Sequence, residues 1–181
     1  DAAGIGTTST NNLSLSGTTT VANLTATGTV SIPTANYAKV YAVNYGTQTL
    51  TANTLTDVVL TIEKRDNTNS FANNTFTPPV TAYYCIQGQV QVTCTDPNDL
   101  SHVELLIAKN GSAMDGTTQS ISETHASGGA NTNMTKASVS TFVIEYLTAS
   151  DPIKLRVKAN SGSGTLRIDS QSAALGIFQL A

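Results

Sequence analysis

The residues with the clearest potential for chemistry lie between positions 96 and 104, where Asp96, Asp99, His102 and Glu104 fall close together. Carboxylate oxygens are the ligands that Ca²⁺ prefers, so this cluster could hold a calcium ion. The alternative is an acidic turn that holds no metal, and this is the interpretation we favour. The chain has two histidines, too few for a His-rich metal site. We therefore predict no metal and no cofactor.

The same segment contains Asp99, Ser101 and His102, which are the residue types of a catalytic triad. Their closeness in the sequence is no evidence for catalysis, because a triad is defined by its geometry. No other combination of residues in the chain indicates a nucleophile paired with a base. We therefore predict that the protein is not an enzyme.

Lys154, Arg156 and Lys158 alternate along one predicted strand and form a basic stripe on one of its faces. The stripe could attract a sulfated or phosphorylated glycan. The alternative, which we favour, is a solvated face whose charges discourage pairing with another sheet edge.

Polar loops are the better candidates for binding. If the strands run up and down and both termini lie at one end, the loops 45–56, 95–101, 124–136 and 160–164 lie at the opposite end, which we call the tip. Loops on a rigid scaffold commonly carry recognition residues, and Asn, His and Thr side chains suit hydrogen bonding to sugars. The alternative is a set of polar loops without a ligand. The predicted ligand-binding residues are Asp96, Asn98, Asp99, His125, Asn131, Asn133 and Lys136.

Short β-rich segments alternate with turn clusters throughout residues 34–181, a pattern typical of a sandwich or barrel. The turns are rich in Asn, Asp, Gly and Pro, and no segment has a helical period. Eight antiparallel strands in a domain of this length predict an all-β fold, a double-sheet jelly roll. The predicted strands span 37–45, 57–64, 81–95, 101–109, 117–124, 137–148, 152–160 and 165–180.

Two of these strands are apolar on both faces, namely 141–147 and, for the most part, 175–180. In a two-sheet sandwich only one face of a strand meets the other sheet, so the second face needs a different cover. The simplest cover is a neighbouring subunit, and we therefore predict that the head forms an oligomer. The predicted trimer interface consists of Tyr41, Tyr83, Gln87, Gln89, Phe142, Tyr146 and Phe178.

The strand 83–95 places a column of glutamines on one face, opposite Ile86, Val90, Val92 and Cys94. The glutamines could line a trimer axis and bond their symmetry mates, or they could form an exposed polar face, and both interpretations stay open. Cys85 and Cys94 would lie about 30 Å apart on this strand and on opposite faces, too far for a disulfide. We expect two free thiols, which fits folding in a reducing cytoplasm.

The N-terminal segment differs from the rest, since no charged residue occurs between Asp1 and Lys39. Gly-Thr recurs at positions 6, 17 and 28, and Asn-Leu at 12 and 23, which gives an 11-residue repeat. Three chains wound about an axis could bury the few apolar residues of this repeat against each other. We therefore predict two regions, a repetitive β-rich fibre stem over 1–33 and a head over 34–181. The alternative for the stem is a flexible Thr/Ser/Gly linker.

The composition restricts the partners. Charged residues make up 12% of the chain and the net charge is −3, so neither nucleic acid nor membrane lipid is an expected partner. No apolar segment approaches the roughly 20 residues that a membrane-spanning helix needs. The chain begins at Asp1 without a secretory signal, as expected for a mature form or an excised fragment.

Four segments of the head occur in a recognisable order. Residues 73–84 contain an aromatic-Pro stretch that leads into a strand with a Tyr pair, and 106–111 end in Lys-Asn-Gly. Residues 142–157 contain a hydrophobic strand, a turn and an alternating strand, and 174–180 form an apolar closing strand. In this order the head, about residues 35–181, resembles the tumour necrosis factor and complement-collectin globular head superfamily. Ser150-Asp151 stands where that superfamily usually has Gly-Asp.

The resemblance implies a ten-stranded jelly roll and a tight trimer with both termini at the base, but it implies no particular ligand. The stem resembles the Thr/Gly-rich repeats of phage tail fibres and related bacterial trimeric fibres. We therefore expect a trimeric fibre tip, an adhesin or receptor-binding protein that recognises a cell-surface glycan or protein. Its expected place is a virion tail fibre or an extracellular or cell-surface fibre. The alternatives are a structural trimerisation head and a secreted recognition trimer, and the charge-free repeat argues against the latter.

Overall fold

The computed structural model describes residues 38–97, 99–122 and 134–180, all of which belong to one unit, residues 35–181. The predicted stem lies outside the described residues. Within them the regular elements are strands, and the fold is all-β as predicted. In chain order the strands are β1 (Lys39–Val43), β2 (Gln48–Leu50), β3 (Thr56–Asp57), β4 (Ile62–Asp66), β5 (Phe71–Ala72), β6 (Thr75–Phe76), β7 (Ala82–Cys94), β8 (Leu100–Lys109), β9 (Ser112–Ala113), β10 (Gln119–Ser122), β11 (Lys136–Leu147), β12 (Ile153–Ser161), β13 (Leu166–Ile168) and β14 (Ala173–Gln179).

The first sheet is built around β7. Strand β11 pairs antiparallel with one edge of β7, from Lys136 opposite Thr93 to Leu147 opposite Ala82. Along the other edge, β14 pairs with the first part of β7 and β13 with its end. Strand β1 pairs with β14, β4 with β1, and β2 with β13, all antiparallel.

The second sheet is built around β8 and β12, which pair antiparallel from Ile153 opposite Lys109 to Ser161 opposite Leu100. Strands β9 and β10 pair with the other edge of β8. Strands β3 and β6 pair with the other edge of β12, and β5 extends the sheet beyond β6.

The core lies between the two sheets and follows from the alternation of β7. Ile86, Val90 and Val92 point inward and are buried, as the sequence predicts. Gly88 is also buried in this row, and a Cβ added there would lie 2.3 Å from Leu155 Cδ1 on the second sheet. The glycine therefore lets the two sheets approach, and β7 pairs without interruption through it.

Two predicted strands are corrected by the structure. The segment predicted as 57–64 belongs to both sheets: β3 lies in the second, β4 in the first, and the chain crosses between them with Val58 and Leu60 buried. The segment predicted as 165–180 is broken into β13 and β14 by a turn over 169–172. Buried Asn44 donates from Nδ2 to the Asp169 carbonyl at 2.6 Å and accepts at Oδ1 from the Ala173 amide at 2.7 Å, so one amide side chain holds both ends of this turn.

The structure explains two of the motifs behind the superfamily resemblance. Asn110 and Gly111 both have positive φ (54° and 83°) and form the two-residue hairpin turn between β8 and β9, the geometry that Asn-Gly favours. Asn110 Nδ2 also donates to Asp151 Oδ1 at 2.9 Å, and Asp151 Oδ2 accepts from the Thr148 amide at 2.9 Å. These hydrogen bonds lower the pKa of the Asp151 carboxyl, the Thr148 amide contributing most. Asn110 of the Lys-Asn-Gly motif and Asp151 of the Ser-Asp motif are therefore bonded to each other and join two turns.

The first and last described strands meet at one end of the head, which we call the base. The Ala38 carbonyl accepts a hydrogen bond from the Gln179 amide at 2.8 Å, and the Leu180 amide donates to the Tyr83 carbonyl at 2.8 Å. The opposite end of β7, at Cys94, is the tip. Within the described residues, no helix is long and apolar enough to cross a membrane.

Candidate functional site

Two of the predicted tip loops are tied together by one carboxylate. Asp99 Oδ1 accepts a hydrogen bond from the Gly162 amide at 3.0 Å, and its Oδ2 accepts from the Ser163 and Gly164 amides, each at 2.7 Å. The amides of Gly164 and Ser163 are the main reason that the pKa of the Asp99 carboxyl lies below its usual value. Asp96 Oδ2 accepts from the Ser163 hydroxyl at 3.1 Å. The structure therefore places both predicted residues at the tip, where they position a loop.

The described parts of the other predicted tip loops lie at the same end. Leu100 and Met134 exchange backbone hydrogen bonds of 2.8 and 2.9 Å, which join the start of β8 to the segment before β11. Asn53 Nδ2 donates to Asn160 Oδ1 at 3.1 Å, which joins the loop after β2 to the end of β12. The described parts of the four predicted loops thus meet at the tip, although the segment 45–56 is not all loop, since it contains β2 and the first residue of β3.

The ligand-binding role of the tip residues stays a prediction. Lys136 begins β11 and is exposed beside the tip. The remaining predicted residues lie outside the described part of the chain: Asn98, His125, Asn131 and Asn133.

The residues considered for a metal site or a triad do not converge. His102 Nδ1 lies 2.6 Å from the Ser122 hydroxyl, and its Nε2 lies 3.8 Å from Glu104. The Ser101 hydroxyl donates to the Asn160 carbonyl at 3.2 Å. Because Asp99 is bonded to backbone amides of the neighbouring loop, it neither orients His102 nor faces Ser101.

The outward-facing side of the first sheet presents aromatic side chains from four neighbouring strands. We call this surface, formed by β11, β7, β14 and β1, the outer face. Phe142 on β11 lies opposite Gln87 on β7, Gln87 opposite Gly176 on β14, and Gly176 opposite Tyr41 on β1. The small Gly176 leaves a cavity of about 220 Å³ in this row, between Tyr41 and Phe178.

The neighbouring rows toward the base are apolar on β11, β7 and β14, and the first of them ends at Lys39 on β1. Ile144 lies opposite Cys85, and Cys85 opposite Phe178. In the next row the rings of Tyr146 and Tyr83 lie 5.1 Å apart, centroid to centroid. Sequence reasoning missed Ile144 as an interface candidate, although its two-residue spacing from Phe142 and Tyr146 could have revealed it.

The aromatic side chains of the outer face are between 43% and 57% exposed, so this surface is uncovered in the single chain. The prediction that the outward face of 141–147 is apolar is confirmed by Phe142, Ile144 and Tyr146, whereas its inward face combines Val143 and Leu147 with the polar Thr141 and Glu145. Half of five aromatic side chains amounts to roughly 500 Å² of contiguous surface, the upper end of the largest patch on an ordinary monomer.

Toward the tip the outer face changes from apolar to polar. Gln89, Gln91, Ser138 and Ser140 line a depression of about 370 Å³ together with residues of the 169–172 turn. Gln91 Nε2 donates to the Ser138 hydroxyl at 3.0 Å. The outer face is thus mainly apolar near the base and polar near the tip, where Lys136 is the charged residue at the end of β11. All seven predicted interface residues lie on it.

Both cysteines are free, as predicted. Cys85 is partly exposed on the outer face, and Cys94 is buried in the core. Burial raises the pKa of both thiols, and for Cys94 the neighbouring carboxylates of Asp99 and Asp96 raise it further.

The basic stripe differs from its sequence interpretation. The idea that it protects a sheet edge is wrong, because β12 pairs on both of its edges. Asp57, which sequence reasoning had not singled out, faces the stripe from β3. It lies 2.6 Å from Lys154 Nζ and 2.9 Å from Arg156 Nε. Two of the three cations therefore share one carboxylate.

No protein-family model and no curated protein matches this sequence. Solved structures do match its fold. The globular domain of the zebrafish complement 1qA protein is similar with a TM-score of 0.52 and 12% identity, covering 80% of this chain and 98% of that one. Murine APRIL is similar with a TM-score of 0.55 and 11% identity, covering 80% of this chain and 99% of that one.

These likenesses agree with the topology, in which two seven-stranded antiparallel sheets enclose one core. They also agree with the superfamily resemblance that the motifs indicate. The described part of this chain therefore has the jelly-roll fold of the tumour necrosis factor and complement C1q type.

Proposed function

We propose that this chain forms a homotrimeric recognition head, in which the outer face is the subunit interface and the tip loops contact the ligand. The observation that carries the proposal is the uncovered aromatic surface on β11, β7, β14 and β1. A second copy of the chain is the occupant that we infer for it.

The size of the surface supports self-association. Roughly 500 Å² of aromatic surface, with Ile144 and Leu180 beside it, approaches the approximately 800 Å² that each partner buries in a stable interface. Its apolar and uncharged polar parts are contiguous, and the cations Lys39 and Lys136 lie at the ends of β1 and β11, so the central rows bring no charge into the contact. Three is the number of subunits that the superfamily resemblance implies.

The polar half of the outer face supports an arrangement about an axis. Gln87, Gln89 and Gln91 form a column on β7, and the side chains of Gln87 and Gln89 are exposed. An amide can both donate and accept, so it can bond a symmetry-related copy of itself. We infer that these glutamines line the axis and fix the alignment of the subunits.

The tip supports recognition. Its described segments come from four separate parts of the chain, and hydrogen bonds of Asp99 and Asn53 hold three of them on the sandwich, which is a common arrangement for binding loops. A trimer would present three copies, so a weak site for a cell-surface glycan or protein would gain avidity. With the repetitive segment over 1–33 as a stem, the chain would form the tip of a fibre, on a virion tail or at a cell surface.

One observation favours a second candidate, a structural trimerisation head. Asp96 and Asp99 are engaged within the tip, where they hold neighbouring loops. In that case the head only aligns and locks three stems, and binding lies elsewhere. A secreted recognition trimer is a further alternative with the same fold.

Light scattering of the full chain at micromolar concentration tests the interface. The expected mass is three times the 18.8 kDa of one chain. A monomer at this concentration would refute the trimer and with it the proposed use of the outer face.

A glycan array and binding to whole cells test recognition separately. We expect the wild type to bind and a variant with His125→Ala, Asn131→Ala and Asn133→Ala to lose binding while its mass stays unchanged. A trimer that binds neither glycans nor cells would favour the structural trimerisation head.

A further inference from the structure

We propose a second binding site, for the carboxylate or sulfate group of an acidic saccharide, on the outward surface of the second sheet. We call it the anion site. This surface points away from the outer face, so the proposal does not depend on the trimer. The site is a cavity of about 300 Å³ lined by Asp57, Ala108, Gly111, Pro152, Lys154 and Arg156.

The charges of the anion site are unbalanced. Asp57 Oδ2 lies 2.6 Å from Lys154 Nζ, and its Oδ1 lies 2.9 Å from Arg156 Nε. One carboxylate therefore holds two cations in place, and the lining keeps a formal charge of +1 in a chain whose net charge is −3. An anion that enters the cavity would meet a local positive potential.

The guanidinium group of Arg156 is oriented but not saturated. Its terminal nitrogens donate to the Gly111 and Leu55 carbonyls, each at 3.4 Å, near the upper limit for a hydrogen bond. Nε is buried and lies 2.9 Å from Asp57 Oδ1, so this carboxylate engages it and the terminal nitrogens remain for an incoming anion. The group is thus preorganised, with donors available for the paired oxygens of a carboxylate or sulfate.

The site is local and not a property of the whole basic stripe. Lys158 lies on the same strand and the same face, but it does not line the cavity, and its register partner on β8 is Glu104. The register partner of Lys154 is the small Ala108, which leaves room above the sheet. The cavity therefore forms where two cations meet small neighbours.

The size and exposure of the cavity indicate the ligand class. A volume of about 300 Å³ is at the low end of the range for small-molecule sites and suits one acidic sugar unit. The Arg156 side chain is 25% exposed, so its charge is partly shielded from water while an incoming anion can still reach it. A trimer would carry three copies of the anion site, so a weak contact at each copy would gain avidity.

Titration of the full chain, followed by NMR, with a sulfated disaccharide, an unsulfated uronic-acid disaccharide and a neutral disaccharide tests the proposal. Both acidic disaccharides should bind and the neutral one should not. Arg156→Gln should weaken binding at least tenfold, and the matched control Lys158→Gln less than twofold. Should Arg156→Gln fail to fold, Lys154→Gln takes its place with the same expected direction.

Asp57→Asn should strengthen the binding of acidic disaccharides, whereas Arg156→Gln should weaken it. The Asp57 substitution removes the one negative charge of the lining, so acidic disaccharides should bind about fourfold more tightly. Equal losses in the Arg156 and Lys158 variants, equal binding of the neutral disaccharide, or weaker binding after Asp57→Asn would each overturn the anion site.

Discussion

Replacing Phe142 with glutamate tests the proposed subunit interface through one side chain. The ring is 56% exposed on β11, and its backbone pairs with that of Gln87. The substitution leaves this pairing in place, so we expect the single-chain fold to persist. About half of an aromatic side chain, roughly 100 Å², would be lost from each subunit contact.

The expected magnitude follows from this area. At about 25 cal/mol per Å², the lost apolar burial weakens association by about 2.5 kcal/mol per copy. That corresponds to roughly a 50- to 100-fold change in the dissociation constant of each contact. A glutamate carboxylate would also have to lose water on association, which adds to the penalty. Three copies occur in a trimer, so we expect dissociation at micromolar concentration.

Light scattering and circular dichroism together check this prediction. The Phe142→Glu variant should have the mass of one chain and an unchanged β-sheet spectrum. Val59→Glu is the matched control, because Val59 is an exposed apolar residue between β3 and β4, outside the outer face. It should remain a trimer. If Phe142→Glu has the same mass as the wild type, the outer face is not the interface.

Three further predictions concern the core, the thiols and the tip. Gly88→Ala places a Cβ against Leu155 and should lower the free energy of unfolding, measured by urea denaturation, by about 1–3 kcal/mol. In a Leu155→Ala background the loss should be smaller. Additive losses would contradict the close approach of Gly88 to Leu155. With a chromogenic disulfide reagent, Cys85 should be protected in the wild type and should react in the Phe142→Glu variant. Cys94 should react only after unfolding. If Cys85 reacts equally in both proteins, it is not buried between subunits. The pKa of Asp99 is lowered in the folded state, so its contribution to stability is present above the unfolded pKa of about 3.9 and is lost as pH falls through the folded pKa. The NMR shifts of the amides that Asp99 binds should change with a midpoint below about 3.9. A higher midpoint would contradict the hydrogen bonds between Asp99 and the loop 162–164.

The arrangement of the tip shows how far sequence reasoning reached. The loop positions were predicted from the order of strands and turns, and their described parts do meet at one end. The sequence did not indicate that Asp99 bonds the amides of 162–164, more than sixty residues away. Sequence spacing carries no information about such a contact, because it depends on which strands are neighbours in the two sheets.

The sequence by itself determined which side of β7 and of β12 is buried. The alternation along β7 and β12, the apolar outward residues of β11 and the free thiols all follow from the two-residue period of a strand, which is a local property. The tertiary structure alone decided how distant segments pair. It broke the last predicted strand at 169–172, carried the chain between sheets after β3, and brought Asp57 to Arg156. These contacts depend on register and on packing across the core, and both are set only when all the strands are assembled.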